Sequence, residues 1–138
     1  MQNIELFNLA TKEILGMCYE SFPNRVSFKH FDITEKVLQY YELSDFKDKE
    51  NDVAKVCLST AKWLRQANYI WVERELGNEF NSVTLTPKAF ELLNLMPGSL
   101  KAQESIGSML MNGAMKTSKA GALAVVRVVL SEGVKMMS

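Results

Sequence analysis

Residues 59 to 93 read STAKWLRQANYIWVERELGNEFNSVTLTPKAFELL, and within them the spacing of apolar side chains changes twice. Up to Ala67 the beat is helical. Val53, Val56, Cys57, Thr60, Ala61, Leu64 and Ala67 share one face, while Lys55, Ser59, Lys62 and Gln66 share the opposite one. This spacing predicts a helix over 51–67, ended by Asn68, a residue that tolerates the left-handed conformation common just past a C-cap. From there the beat is two. Ile70 and Val72 alternate with Trp71 and Glu73, and Val83 and Leu85 alternate with Ser82 and Thr84, on either side of LGNEFN at 76–81 with its Gly77-Asn78 turn signal. The pattern is that of a β-hairpin. Thr86 and Pro87 then open another helix as N-cap and first helical residue, with Phe90, Leu92 and Leu93 inward and Pro97-Gly98 closing it.

Upstream, Ile4, Phe7, Ala10, Ile14, Met17 and Cys18 predict a helix over 4–21 that leaves Lys12, Glu13 and Glu20 off its apolar face and stops at Pro23-Asn24. Val26 and Phe28 alternate with Ser27 and Lys29, a short strand. A helix over 34–41, capped by Thr34 and turning Val37, Leu38 and Tyr41 inward, is expected next, and the charged run SDFKDKEND at 44–52 reads as a solvated loop. Downstream, two helices are expected, about 100–113 and 117–136. Ile106, Met109, Leu110, Gly113 and Ala114 would line one, and Leu123, Ala124, Val128, Val129 and Leu130 the other.

The order of helix, short strand, helix, helix, hairpin, helix resembles a winged helix-turn-helix domain. The run at 59–93 is similar to the recognition helix, Gly, Tyr-Ile, wing and Leu-Thr-x-Lys-Gly-x-x-Leu-Leu sequence of MarR-type and PadR-type proteins. Trp63 and Leu64 would anchor the helix, Tyr69-Ile70 start the wing, and Leu85-Thr86-Pro87-Lys88 end it; Asn68 and Ala89 depart from the pattern by standing where it has glycines. The resemblance implies a mainly α fold of α+β type, with a winged-helix domain at 1–98 and a C-terminal helical appendage at 99–138.

Composition narrows the function classes. The 138 residues are 47% apolar and 23% charged with three Pro and seven Gly, which excludes collagen, low-complexity disorder and a long flexible linker. Sixteen basic residues balance sixteen acidic ones, so no overall basic field attracts polyanions. The charge is unevenly placed, however: 1–98 is acidic by three, whereas 99–138 holds five basic and two acidic side chains. Two Cys and one His do not make a four-ligand zinc site without a carboxylate or water. The first residues lack the basic region and cleavage site of a secretory signal, and AGALAVVRVVL at 120–130 is too short to cross a bilayer. A cytoplasmic protein without cofactor is expected, Cys18 and Cys57 being either two reduced core thiols or a single disulfide. His30 is isolated and no Gly-rich phosphate loop, H-E-x-x-H or C-x-x-C occurs, so no enzyme is expected.

What the fold resemblance implies is duplex DNA binding and transcription regulation, with the second helix of the turn motif in the major groove. Lys55, Ser59, Lys62 and Gln66, with Arg65 at the flank, would contact DNA, joined by Arg74 and Asn78 from the wing. Glu73, Glu75 and Glu79 oppose this by repelling phosphates. The alternative is a protein-binding module of immunity, antitoxin or adaptor type that docks a basic partner through its acidic surface. The Met-rich tail, with its small residues, suits close helix contact, and a homodimer through the C-terminal helices is expected, with folding back on its own domain as the alternative.

Overall fold

The computed structural model describes residues 2–95, 105–111 and 118–137. The first helix, α1 (Asn3–Ser21), is buried continuously from Leu9 to Gly16. At about 100° per residue, a run of that length covers every side of a helix, so the middle of α1 is enclosed rather than laid on a surface. This overturns one expectation. Lys12 and Glu13 are inside: Lys12 Nζ lies 3.2 Å from Glu13 Oε2 and donates to the Leu110 carbonyl at 3.4 Å, while the Tyr40 hydroxyl donates to Glu13 Oε2 at 3.1 Å. Mutual pairing is what lets both charges be buried. Ile4, expected on the buried face, stands 71% exposed instead.

After α1 come β1 (Val26–Lys29), α2 (His30–Leu38), the single turn α3 (Leu43–Phe46) and α4 (Glu50–Gln66). Helix α2 begins four residues before the expected Thr34 cap. The Asp32 carboxylate accepts from the Lys29 N–H at 2.9 Å and ends the strand there, whereas Thr34 lies within the helix and donates its hydroxyl to the His30 carbonyl at 2.8 Å. The charged run at 44–52 is likewise not a simple loop, since it contains most of α3 and the first turn of α4.

Strands β2 (Ile70–Leu76) and β3 (Glu79–Leu85) form the hairpin, and β1 adds on the far side of β3, giving an antiparallel sheet in the order β1-β3-β2. Of the two turn residues, only Gly77 has a positive φ, +59°, the requirement of the first position of a type II′ turn. Asn68 ends α4 at φ +66°, the left-handed geometry expected of it. Thr86 caps α5 (Pro87–Leu93), its hydroxyl accepting the Ala89 N–H at 3.2 Å. Phe28 and Phe80, directly opposite across β1 and β3, stack with ring centres 5.3 Å apart and face the core with Val72, Val83 and Leu85. The molecule is thus a mixed α+β fold, whose regular elements among the described residues are helices apart from this small sheet.

The described tail consists of α6 (Ile106–Leu110) and α7 (Lys119–Met137), both packed on α1. Pro97, Gly98, Gly113 and Ala114 lie outside the described residues. The α7 face differs from the expected one: Ala122, Val125, Val126 and Val129 are buried, Leu123, Val128 and Leu130 are half-buried, and Ala124 is exposed. Ala122, Val125 and Val129 join the same core as α1 and the sheet, with Leu123, Val128 and Leu130 packed against it. Close approach makes the docking possible. A methyl added at Gly16 would collide with the Leu110 carbonyl oxygen, and one at Gly133 with the Tyr69 hydroxyl.

Among the described residues no helix is long and apolar enough to cross a membrane. Cys18 and Cys57 are free and buried, and burial pushes their thiols up to about 12 and about 11 from an ordinary 9.0.

Two outcomes are expected. Gly16→Val should destabilise the protein by about 1–3 kcal/mol in chemical denaturation, through overpacking against α6. The thiols, protonated in the native state where the unfolded chain ionises, hold stability that is complete below pH 9.0 and is lost as pH rises through about 11 for Cys57 and about 12 for Cys18, which denaturation at stepped alkaline pH will measure against a Cys18→Ala, Cys57→Ala control.

Candidate nucleic-acid interface and adjoining groove

Helix α4 is amphipathic. Val53, Cys57, Thr60, Ala61 and Leu64 hold it on the core, which leaves Lys55, Ser59, Lys62 and Gln66 in a row on the exposed side. Neither Lys55 nor Lys62 takes part in an ion pair among the described residues. Of the residues expected to meet DNA, these four come together.

Arg65 does something else. Its Nη1 lies 3.3 Å from Glu75 Oε1 and its Nη2 donates to the Val72 carbonyl at 3.3 Å, so the guanidinium braces α4 to β2. Arg74 and Asn78 are exposed on the hairpin, Asn78 at its tip, where its carbonyl accepts the His30 N–H at 3.0 Å. In the hairpin register Arg74 lies opposite Asn81 and Glu75 opposite Phe80. With Glu75 paired to Arg65, the acids the hairpin leaves without an ion pair among the described residues are Glu73 and Glu79.

Sequence reasoning passed over Arg25. It is exposed at the base of the hairpin, donates to the Ser82 carbonyl at 2.8 Å, and lines a depression of about 680 Å³ with Arg65, Asn68 and Trp71. Its position after the Pro23-Asn24 turn was the available signal.

Trp63 also departs from expectation. Leu64 is the buried anchor, whereas Trp63 is 44% exposed, edge-on to Phe7 at 5.2 Å and stacked on Tyr69 at 6.0 Å. It closes one end of a groove of about 640 Å³ between α1 and α4, walled by Ile4, Phe7 and Val56 with Lys55 and Ser59 on its α4 side. A second depression of about 460 Å³, reaching Lys49, Asp52 and Val53, continues it and shares Asn3, Lys55 and Val56.

At the N-terminal end of this region the Glu5 carboxylate accepts from the Tyr41 hydroxyl and pairs with Lys119 Nζ at 3.2 Å, which ties α7 to α1. The Tyr41 hydrogen bond, ahead of the Lys119 charge, holds the Glu5 carboxyl below its usual range. No cluster of three or more His, Cys, Asp or Glu that could hold a metal ion occurs among the described residues.

No protein-family model matches the chain, and no curated protein or solved structure matches it significantly.

The Arg65–Glu75 brace is partly exposed, so its electrostatic contribution to stability is small. A double-mutant cycle with Arg65→Met and Glu75→Gln should return a coupling of about 0.2–1 kcal/mol, diminishing as salt is added.

Proposed function

We propose that the chain is a winged helix-turn-helix domain that binds duplex DNA, with α4 in the major groove and the β2–β3 hairpin as the wing beside it. The observation that carries this reading is the row Lys55, Ser59, Lys62 and Gln66, exposed and without an ion pair among the described residues, on the helix that leads into the hairpin. In this arrangement Lys55 and Lys62 neutralise phosphates, Ser59 and Gln66 meet base edges, and Arg74 and Asn78 touch the backbone from the wing. Arg65 joins them only by leaving Glu75. A homodimer on a two-fold site would use the outward side of α7, where Val134 is exposed, because the inward side is already packed on α1 and α5.

A second reading, a protein-binding module for a basic partner, is favoured by the exposed acids Asp45, Asp48, Glu50 and Asp52 before and at the start of α4, and Glu73 on the wing. Stoichiometric capture of a basic protein without nucleic acid would support it over DNA.

Fluorescence anisotropy against duplex DNA over a range of salt tests the first reading. Affinity should fall as salt rises, and Lys62→Ala should reduce the slope of log K against log salt by about 1. Glu75→Gln, which releases Arg65, should tighten binding. A titration with no salt-dependent affinity removes the reading.

A further inference from the structure

Apart from Lys55 and Ser59, the groove between α1 and α4 is not used by the function proposed above. Its walls are Ile4, Phe7, Val56 and Trp63, two of them unusually open to water for their size: Ile4 at 71% and Trp63 at 44%. Exposed apolar side chains scattered singly are ordinary, but here they converge along one furrow. Its two connected depressions follow α4 from Lys49 to Trp63, a span of ~21 Å at about 1.5 Å per residue, or close to four helical turns. That shape is long and shallow. It suits the side of a helix better than a compact small molecule. The charges along it are Lys49 and Lys55 against Asp52, and neither lysine has an ion pair among the described residues.

From this geometry we infer that the α1–α4 groove docks an amphipathic helix of a partner protein, apolar on the side it buries and acidic along its flank. The partner's apolar residues pack on Ile4, Phe7, Val56 and Trp63, with Trp63 as the central aromatic anchor. Its acidic flank meets Lys55 and Lys49. Docking has a consequence that rests on the DNA reading: Lys55 and Ser59 belong to both surfaces, so helix and duplex exclude each other, and the partner acts as an antagonist of DNA binding.

The test uses a synthetic helical peptide of about 15 residues with leucines on one side and glutamates on the flanks, beside a twin whose glutamates are lysines. In a Trp71→Phe background Trp63 is the one remaining indole, and its emission reports docking. The glutamate peptide should shift that emission and bind at least about tenfold more tightly than the lysine twin, and Ile4→Glu or Lys55→Glu should each weaken it about tenfold. Ile4 is largely exposed and makes no DNA contact, so the uncharged Ile4→Gln should fold, bind duplex unchanged and resist displacement by the peptide. Equal binding of the two peptides, no binding of either, or indifference to Ile4→Glu overturns the proposal. So does sedimentation showing a self-associated protein that Ile4→Glu dissociates, since a second copy would then fill the groove. Failure to bind any duplex removes the DNA reading alone, because the peptide titration stands without it; docking that leaves duplex affinity unaltered overturns the exclusion.

Discussion

The middle of α1 is closed off on every side, and most of the architecture answers that single demand. A helix with one apolar stripe needs one neighbour. Eight successive buried residues, Leu9 to Gly16, need a surround, and α2, α4, the sheet, α6 and α7 together supply it. Lys12 sharpens the requirement. An ammonium group taken out of water is costly unless partners are already in place, and here they come from three directions: Glu13 on the same helix, the Leu110 carbonyl from α6, and the Tyr40 ring with its centre 5.9 Å away. Tyr40 is itself fixed by its bond to Glu13, and burial beside that carboxylate pushes its hydroxyl well above the ordinary range. The tail is therefore structural. Without α6, the Leu110 carbonyl is lost to Lys12 and one side of α1 is open.

The hairpin and its flanking helices were legible because each carried a local signal that tertiary contacts did not need to override. The change of spacing after Asn68, the Gly77-Asn78 turn and the Thr86-Pro87 start all describe backbone preferences of single residues. The exposed row of α4 was legible for the same reason, since polar residues at helical spacing face water wherever the opposite face is apolar. Elsewhere the signals were ambiguous. Asp32 and Thr34 are both reasonable N-terminal residues, and only the end of β1 decides between them. In α7 the run AGALAVVRVVL is apolar nearly all round, so periodicity does not set its phase; exposed Arg127 was the one residue marking the outer side.

The candidate groove was illegible for a different reason. Ile4, Phe7 and Trp63 look like core residues in any one-dimensional pattern, because hydrophobicity reports a preference for burial and not whether a partner exists to satisfy it. Lys12 is the converse case: a charge counted as solvated that the fold encloses. Both depend on which helices meet, and in α1 that is decided by residues nearly a hundred positions away, at Leu110.

The sheet order leaves β2 as a free edge beside α4. Such an edge invites another chain to zip onto its unpaired amides and carbonyls. Arg65 already occupies one of those carbonyls, that of Val72, and is held there by Glu75. A would-be strand from a neighbouring molecule must first evict a guanidinium from its seat. The brace that steadies the hairpin thus also guards the molecule against polymerising along its own rim.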